Sequence, residues 1–408
     1  MLCATSFQAV QDDFAKPFGV TQPVRLAITP LLDGKIDEEE WDTLSADGNC
    51  QSYFQWEPET LYWGAKLGDQ QDAVLSLDTN ADGWLVGDDN LEFRVTFAND
   101  QPTLSVRRLD ATDPNGPKWV SSGVLTESIK LHTAKTEAGW SLEAAYTPPV
   151  SESPVQGQKY GVRIDGVATG ADLGPPYEPR NVAFLNLQYD LGQNLPSGFS
   201  WKPDFLVRNV PVDDSFKVKY GFKRTEPVNF KQVDFRAEGE AKNLMAAGSR
   251  PFPAWDKKGR IGEEYATLIS RGAPVGYKVL RLTLVGEDGS TTVLRSSFKI
   301  SDLVEFDVNL PKSLKLDPDA RIIRGSIDVR SNGLKRVNGE FNFKIPDAWT
   351  VTRGKTTNFT IYHSRGVSKV PVEFIIPKDT VGVFPLTFTA VIGEKTVTKT
   401  IYLPVGQS

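Results

Sequence analysis

Apolar and polar residues alternate with a period of two along most of the chain. The runs SYFQW, LYWGAKL, AVLSLD, LEFRVTF, TLSVRRL, WSLEAAY, YGVRIDGVA and VAFLNLQYDL send side chains to two faces in turn. That is the pattern of a sheet with one wet face. Turn chemistry separates them, in TNADG, ATDPNGPK, TEAG and GADLGPP. Long amphipathic helical stripes are scarce. The pattern predicts an all-β chain of sandwich domains.

Shifts in the pattern set the expected boundaries. Residues 21–210 read as one β-sandwich, with composition changing near PVDDSF. Residues 211–302 read as a second sandwich, whose clearest element is the hairpin VLRLTLVGEDGSTTVLRSSFKI turning at Glu287-Asp288-Gly289-Ser290. Another shift near SDLVEFDV opens residues 303–408. There, RIIRGSIDVRSNG, NGEFNFKIP, TNFTIYHS, VPVEFIIP and FPLTFTAVIGEKTVTKTIYLPV repeat strand and turn about every ten residues, as an immunoglobulin-like sandwich does. Residues 1–20 read as a leader. MLCATSFQAVQDDFA resembles the tail of a secretory signal peptide, which predicts a secreted or cell-surface protein. No apolar run reaches the ~18 residues of a membrane-spanning helix, so no membrane span is expected.

Composition narrows the chemistry. The chain has only two histidines, His132 and His363, and two cysteines, Cys3 and Cys50. A histidine-rich metal centre would have to join residues from different predicted domains. Either the cysteines form one disulfide, or Cys3 belongs to a leader and Cys50 is a buried thiol; the sequence leaves both readings open. No Ser-His-Asp set, Cys-His pair or phosphate-cradling glycine loop stands out, and acids are too abundant to single out a glycosidase pair. The chain therefore reads as a non-enzyme. Net charge is −6, but residues 1–210 hold 15 Lys+Arg against 30 Asp+Glu, while the remainder holds 31 against 22. The acidic half suits cations or neutral polar ligands and disfavours nucleic acid. The basic half is a solvated surface or one that leans on an anionic cell-surface polymer.

Five segments in order carry a family resemblance. They are LLDGKIDEEEW, WEPETLYWGAKLGD, GDDNLEFRV, GWSLEAAYTP, and GVRIDGVATG followed by FLNLQYDL. Together they resemble the family-nine carbohydrate-binding modules, a DOMON-related β-sandwich family. FKIPDAWTV and FIIPKDTVGVFPLTFTAV resemble the immunoglobulin-like modules appended to secreted glycosidases. The resemblance implies a non-catalytic protein that binds an oligo- or polysaccharide, with a cell surface or a glycosidase as companion.

The stretch LDTNADGWLVGDDNLEF carries two kinds of candidate. Asp78, Asn80 and Asp82 occupy positions one, three and five of a calcium-loop spacing, with Gly83 at the sixth and Asp89 at the twelfth. Aspartate is shorter than the usual twelfth-position glutamate, and the same residues also make ordinary turns. A structural calcium here agrees with what the resemblance implies. The resemblance also implies that a terminal sugar is clamped between two aromatic rings beside a glutamate and an arginine. Those positions fall on Trp84, Tyr177, Glu92 and Arg107, where the family more often has tryptophan at the second ring. Against this, Trp84 can instead cover the hairpin, Tyr177 can be a turn aromatic, and Glu92 can sit in a salt bridge.

Trp41 and Trp140 lie among alternating apolar neighbours and read as core. Trp56 and Trp63 flank a hairpin, with one of them a candidate for exposure. Trp119 follows NGPK and is a spare ligand-facing candidate, and Asn358-Phe359-Thr360 is a glycosylation sequon. Two further function classes stand beside sugar binding. A haem carrier lacks an axial Met/His pair in the first domain. A structural or adhesive surface protein would keep the sandwich and lose the pocket.

Overall fold

A computed structural model describes residues 24–38, 40–45, 50–98, 101–203, 209–211, 215–239, 247–269, 274–312, 314, 322–333, 336–362, 366–378 and 380–406. The expected leader, Cys3 and His363 lie outside the described residues. The chain forms two compact units, one running to Pro148 and resuming at Glu152–Gln188, the other comprising Pro149–Ser151 and Tyr189–Ser408. It is all-β and built of sandwiches, as the alternation predicts.

Among the described residues the first unit has twelve strands. They are β1 (Val24–Leu26), β2 (Thr43–Ser45), β3 (Gln51–Glu57), β4 (Thr60–Gly68), β5 (Gln71–Asp78) and β6 (Asn90–Ala98). The series continues with β7 (Gln101–Asp110), β8 (Lys118–Ser121), β9 (Ile129–Thr136), β10 (Gly139–Tyr146), β11 (Lys159–Ala168) and β12 (Ala183–Gln188). One sheet has seven strands in the order β1-β12-β11-β5-β6-β7-β8, the other five in the order β2-β3-β4-β10-β9. Phe93 of β6 meets Tyr146 of β10 at 5.0 Å, and Phe97 stacks on Trp140 at 4.6 Å, so the inner faces of the two sheets share a core. Trp41 and Trp140 are buried, as their neighbours predict, and so are both Trp56 and Trp63. The period of two then fixes the outward set. With Leu91, Phe93 and Val95 facing in, Glu92 and Arg94 face away from the second sheet.

The second unit begins earlier than composition suggests. Its strands are β13 (Asp190–Gln193), β14 (Phe199–Pro203), β15 (Asn209–Pro211), β16 (Ser215–Arg224), β17 (Phe230–Ala237), β18 (Gly248–Pro251), β19 (Arg260–Ile269), β20 (Gly276–Gly286) and β21 (Thr291–Ser301). Then follow β22 (Val304–Asn309), β23 (Ile322–Ser331), β24 (Val337–Lys344), β25 (Thr350–Arg353), β26 (Thr356–Ile361), β27 (Val367–Ile375), β28 (Gly382–Ile392) and β29 (Lys395–Val405). The expected boundary near residue 210 shifts, because Asp190–Gln193 pairs with β21 rather than with the first unit's sheets. From Leu185 to Leu191 the run alternates without a break, and alternation cannot say which sheet each half joins. Two cores lie within this unit. One gathers Phe199, Tyr220, Phe222, Leu282, Leu294 and Phe298. The other gathers Phe306, Phe341, Trp349, Phe374, Phe388 and Leu403, between the sheets β22-β23-β27-β25 and β26-β24-β28-β29. The latter pair is the immunoglobulin-like sandwich, and Trp349 stacks on Phe374 at 5.7 Å inside it.

Candidate functional site

The β5–β6 hairpin registers Asp78 opposite Asn90, leaving residues 79–89 as its loop. Four of these residues have a left-handed backbone, Ala81, Gly83, Leu85 and Gly87, with φ of 58°, 114°, 74° and 67°. For Ala81 and Leu85 this conformation is costly, and surrounding contacts must hold it. The Asp78 carboxylate does part of that work. It accepts from Ala81 N at 2.7 Å and from Gly83 N at 2.9 Å.

The curled loop brings together three of the four residues whose spacing suggested a cation. Carboxylate oxygens of Asp78, Asp82 and Asp89 all lie within 4.8 Å of one another. Asn80 is spent inside the loop, accepting from Asp82 N at 2.9 Å and donating to the Asp82 carboxylate at 3.0 Å. Burial pushes the Asp89 carboxyl up to about 7, with the charges of Asp78 and Asp82 adding to the effect. Burial likewise raises Asp82. Three close carboxylates repel one another, and a hard divalent cation is the species their oxygens suit. The donor set fits calcium.

Trp84 goes elsewhere. The same curl lays it back on the sheet's outer face, where it is 0% exposed among Leu85, Leu109, Val182 and Phe184. The expectation of an open ring there is corrected: a side chain with no accessible face cannot stack a sugar. The polar TNADG and GDD flanks hid this, since only the loop's positive φ angles turn Trp84 inward.

Beside Trp84 runs a row of charge. The register places Arg163, Ser76, Glu92, Arg107 and Ser121 opposite one another on β11, β5, β6, β7 and β8. Glu92 is 2% exposed, and both its oxygens meet guanidinium groups. Arg107 Nε donates to Oε1 at 2.6 Å, and Arg180 Nη1 pairs with Oε2 at 2.6 Å. Arg180 also donates to Ser76 Oγ at 2.8 Å and lies 4.8 Å over the Trp84 ring. Burial pulls its guanidinium below the ordinary value, against the opposing pull of Glu92. Arg107 reaches on to Asp172 at 2.7 Å and lies 4.0 Å over Trp119. One step along the sheet, Arg94 bonds Asp72 at 2.9 Å and the Ala171 carbonyl. The loop of residues 169–182 is thus strapped to the sheet by Gly170, Ala171, Asp172 and Arg180.

Glu92 and Arg107 meet in a salt bridge, the alternative to sugar contact that the sequence left open for Glu92, and the two-ring clamp does not form around them. Tyr177 stands on the strap at 66% exposure, while Trp84 lies buried beneath Arg180. Trp119, half-buried on β8, sits 6.3 Å from Trp84 with Arg107 and Arg180 over it. Among the described residues the indole N–H groups of Trp84 and Trp119 have no hydrogen-bond acceptor, although both are shielded from solvent. Orphaned buried donors are uncommon in folded chains.

Two site residues escaped sequence reasoning. Arg180 precedes the apolar run NVAFLNL, where an isolated arginine before a buried strand was the available signal. Glu143 lies in GWSLEAAY, a strand buried at every position, and the acid in that run was the signal. Glu143 accepts from Asp33 N at 2.8 Å, Gly34 N at 2.7 Å and Trp41 Nε1 at 3.0 Å. It pins the segment before β2 to the five-stranded sheet, and burial raises it to about 7. Cys50 Sγ lies 3.9 Å from the Ile164 carbonyl, and Cys3, its partner in one of the two readings the sequence left open, is outside the described residues.

No protein-family model matches the chain, and no curated protein sequence matches it. Among solved structures it is similar to an Escherichia coli alpha-2-macroglobulin activated by porcine elastase. The identity is 8%, covering 90% of this chain and 44% of that one, with a TM-score of 0.26. It is also similar to red sea bream transglutaminase, at 10% identity over 84% of this chain and 58% of that one, with a TM-score of 0.31. A third similarity is to fibronectin(III)-like modules of Clostridium thermocellum CbhA, at 13% identity over 51% and 95%, with a TM-score of 0.18. The chain spans less than two thirds of the length of the first two.

Proposed function

We propose that the first unit is a non-catalytic carbohydrate-binding module of a secreted or cell-surface protein, of the family-nine kind. Sugar contact is carried at Trp119, Arg107 and Asp172, with Tyr177 on the strap above. The observation that supports it is the half-buried Trp119 ring, with Tyr177 exposed on the strap and a fixed Glu92–Arg107 pair beside it. Sugar hydroxyls are acceptors and donors at once, and an indole ring with a guanidinium beside it is a surface on which they bind. Calcium held by Asp78, Asp82 and Asp89 stiffens the neighbouring loop.

A glycan-array screen of the full chain, in calcium and again in EDTA, tests this reading. Trp119→Phe, which shrinks the ring, is expected to weaken binding, and Trp119→Ala to abolish it with the fold intact. No binding from the folded chain in either buffer would overturn it. A second reading then stands, that of a structural or adhesive protein whose Glu92 cluster is a staple. The full burial of Trp84 and the sealing of Glu92 between two arginines favour it.

A further inference from the structure

The immunoglobulin-like sandwich carries the chain's glycosylation sequon. Asn358-Phe359-Thr360 is the one Asn-x-Ser/Thr triplet among the 408 residues, and its middle residue is not proline. The triplet lies on β26, the end strand of the sheet β26-β24-β28-β29. Alternation sends Phe359 and Ile361 into the core and turns Asn358 and Thr360 to the outer face. Asn358 is exposed there, opposite the exposed Glu340 of β24, and Thr360 is half-buried opposite Asn338. Asn338, Asn342 and Asn358 share this face and differ in how their amides are engaged. Asn338 accepts from Arg336 Nε at 3.2 Å. Asn342 donates to Glu340 Oε1 at 2.9 Å and accepts from Thr356 Oγ1 at 2.9 Å. Among the described residues, the Asn358 amide and the Thr360 hydroxyl have no hydrogen-bond partner.

A group added to Asn358 Nδ2 therefore breaks no hydrogen bond, and it extends from an exposed position into solvent, where a bulky hydrophilic substituent belongs. We propose that Asn358 is the acceptor of a single N-linked oligosaccharide. The proposal rests on export of the chain, the secreted part of the proposed function, and is independent of sugar binding by the first unit. In the transfer, Asn358 Nδ2 bonds to the anomeric carbon of an oligosaccharide carried on a polyprenyl diphosphate. The bond from that carbon to the diphosphate oxygen breaks, the diphosphate leaves with the electron pair, and the amide gives up one proton. The donor lipid and a membrane oligosaccharyltransferase belong to the secretory route, and the hydroxyl of Thr360 completes the triplet that such an enzyme reads. Transfer acts on the extended chain. The fold's part is to keep the product, which the exposed and unengaged Asn358 amide allows.

The test expresses the full chain in cultured eukaryotic cells behind a host signal peptide, so that export is supplied rather than tested. The secreted protein should carry one glycan, removed by a peptide amidase that leaves aspartate in place of Asn358 in the peptide mass spectrum. Asn358→Gln and Thr360→Ala should each abolish the modification, while Thr360→Ser, which keeps the hydroxyl, should retain it. Asn358→Gln alters an exposed side chain, so it keeps the test decisive if Thr360→Ala disturbs the fold. Glycosylated and amidase-treated chains should unfold at the same denaturant concentration, because the glycan displaces no hydrogen bond. A secreted, folded chain without glycan would overturn the proposal. So would a glycan that survives Asn358→Gln, or one found only on chain that has failed to fold. Sugar binding is scored separately on the glycan array, so the failure of either reading is visible without the other.

Discussion

The two charged sheet faces are built from the same residue types and use them in opposite ways. On the first unit's seven-stranded sheet, acids and bases alternate. Asp72 faces Arg94, and Glu92 lies between Arg107 and Arg180, with Asp172 closing the far end. On the second unit's sheet, three arginines adjoin, and two of them, Arg281 and Arg295, share Glu238. The first set is enclosed by the strap and by tryptophan rings, so each ion's main partner is another protein ion. In the second, Arg236 is exposed, Arg281 about a third exposed and Arg295 16% exposed. Removing a member of a balanced, buried cluster costs the fold far more than removing one from a partly exposed row.

The largest effect expected from this difference is at Glu92. Glu92→Gln leaves Arg107 and Arg180 beside a neutral amide, with Arg180 buried. Removing one member of a buried ion cluster costs on the order of 3–5 kcal/mol. Denaturant unfolding followed by tryptophan fluorescence should show the first unit's transition moving to markedly lower denaturant. A loss under about 1 kcal/mol would mean that water already serves these ions, and the contrast between the faces would fail.

Glu143 sharpens the comparison, because it is a buried carboxyl held by neutral N–H donors rather than by arginine. Its value of about 7 compares with an ordinary 4.5. Between those values the folded chain keeps a proton that the unfolded chain has released. Stability therefore falls as pH rises from about 4.5 to about 7 and levels off above, by up to about 3 kcal/mol at 1.36 kcal/mol per unit. Melts of the wild type and of Glu143→Gln across this range check it. The variant should have a shallower slope, keeping the part that Asp89 contributes, and equal slopes in the two proteins would show that the three donors outweigh burial.

The calcium cluster comes next. Saturating calcium, at a hundredfold over its dissociation constant, should stabilise the first unit by about 2.7 kcal/mol. Asp89→Asn should abolish the shift. A melting temperature indifferent to both calcium and EDTA would leave Asp78, Asp82 and Asp89 as a turn.

How much of this was legible follows from which signals are local. Alternation placed the strands, and apolar neighbours placed Trp41 and Trp140 in the core. The spacing of Asp78, Asp82 and Asp89 was readable because one loop brings them together. Trp84 was misread because its direction depends on Leu85 and Gly83 adopting left-handed backbone, which polar flanks do not announce. Arg180 is 88 residues from its partner Glu92, and no local pattern reports a contact of that range. The arginine row was hidden for the same reason. Arg236, Arg281 and Arg295 are unremarkable singly, and only the register sets them side by side.

The smallest stability effect should come from that row. Arg281→Ala removes a guanidinium flanked by two others and leaves Glu238 to Arg295, the nearer of its two partners. The lost attraction is partly screened by solvent, while the repulsion relieved acts toward both neighbouring strands. The two nearly cancel, so the unfolding free energy should change by no more than about 0.5 kcal/mol. Denaturant melts at low and high salt check this. Salt should stabilise the wild type slightly more than the variant, because screening relieves a repulsion that only the wild type retains in full. A loss above about 2 kcal/mol would place Arg281 with Arg180 as part of the fold's own support. The two faces would then be the same device.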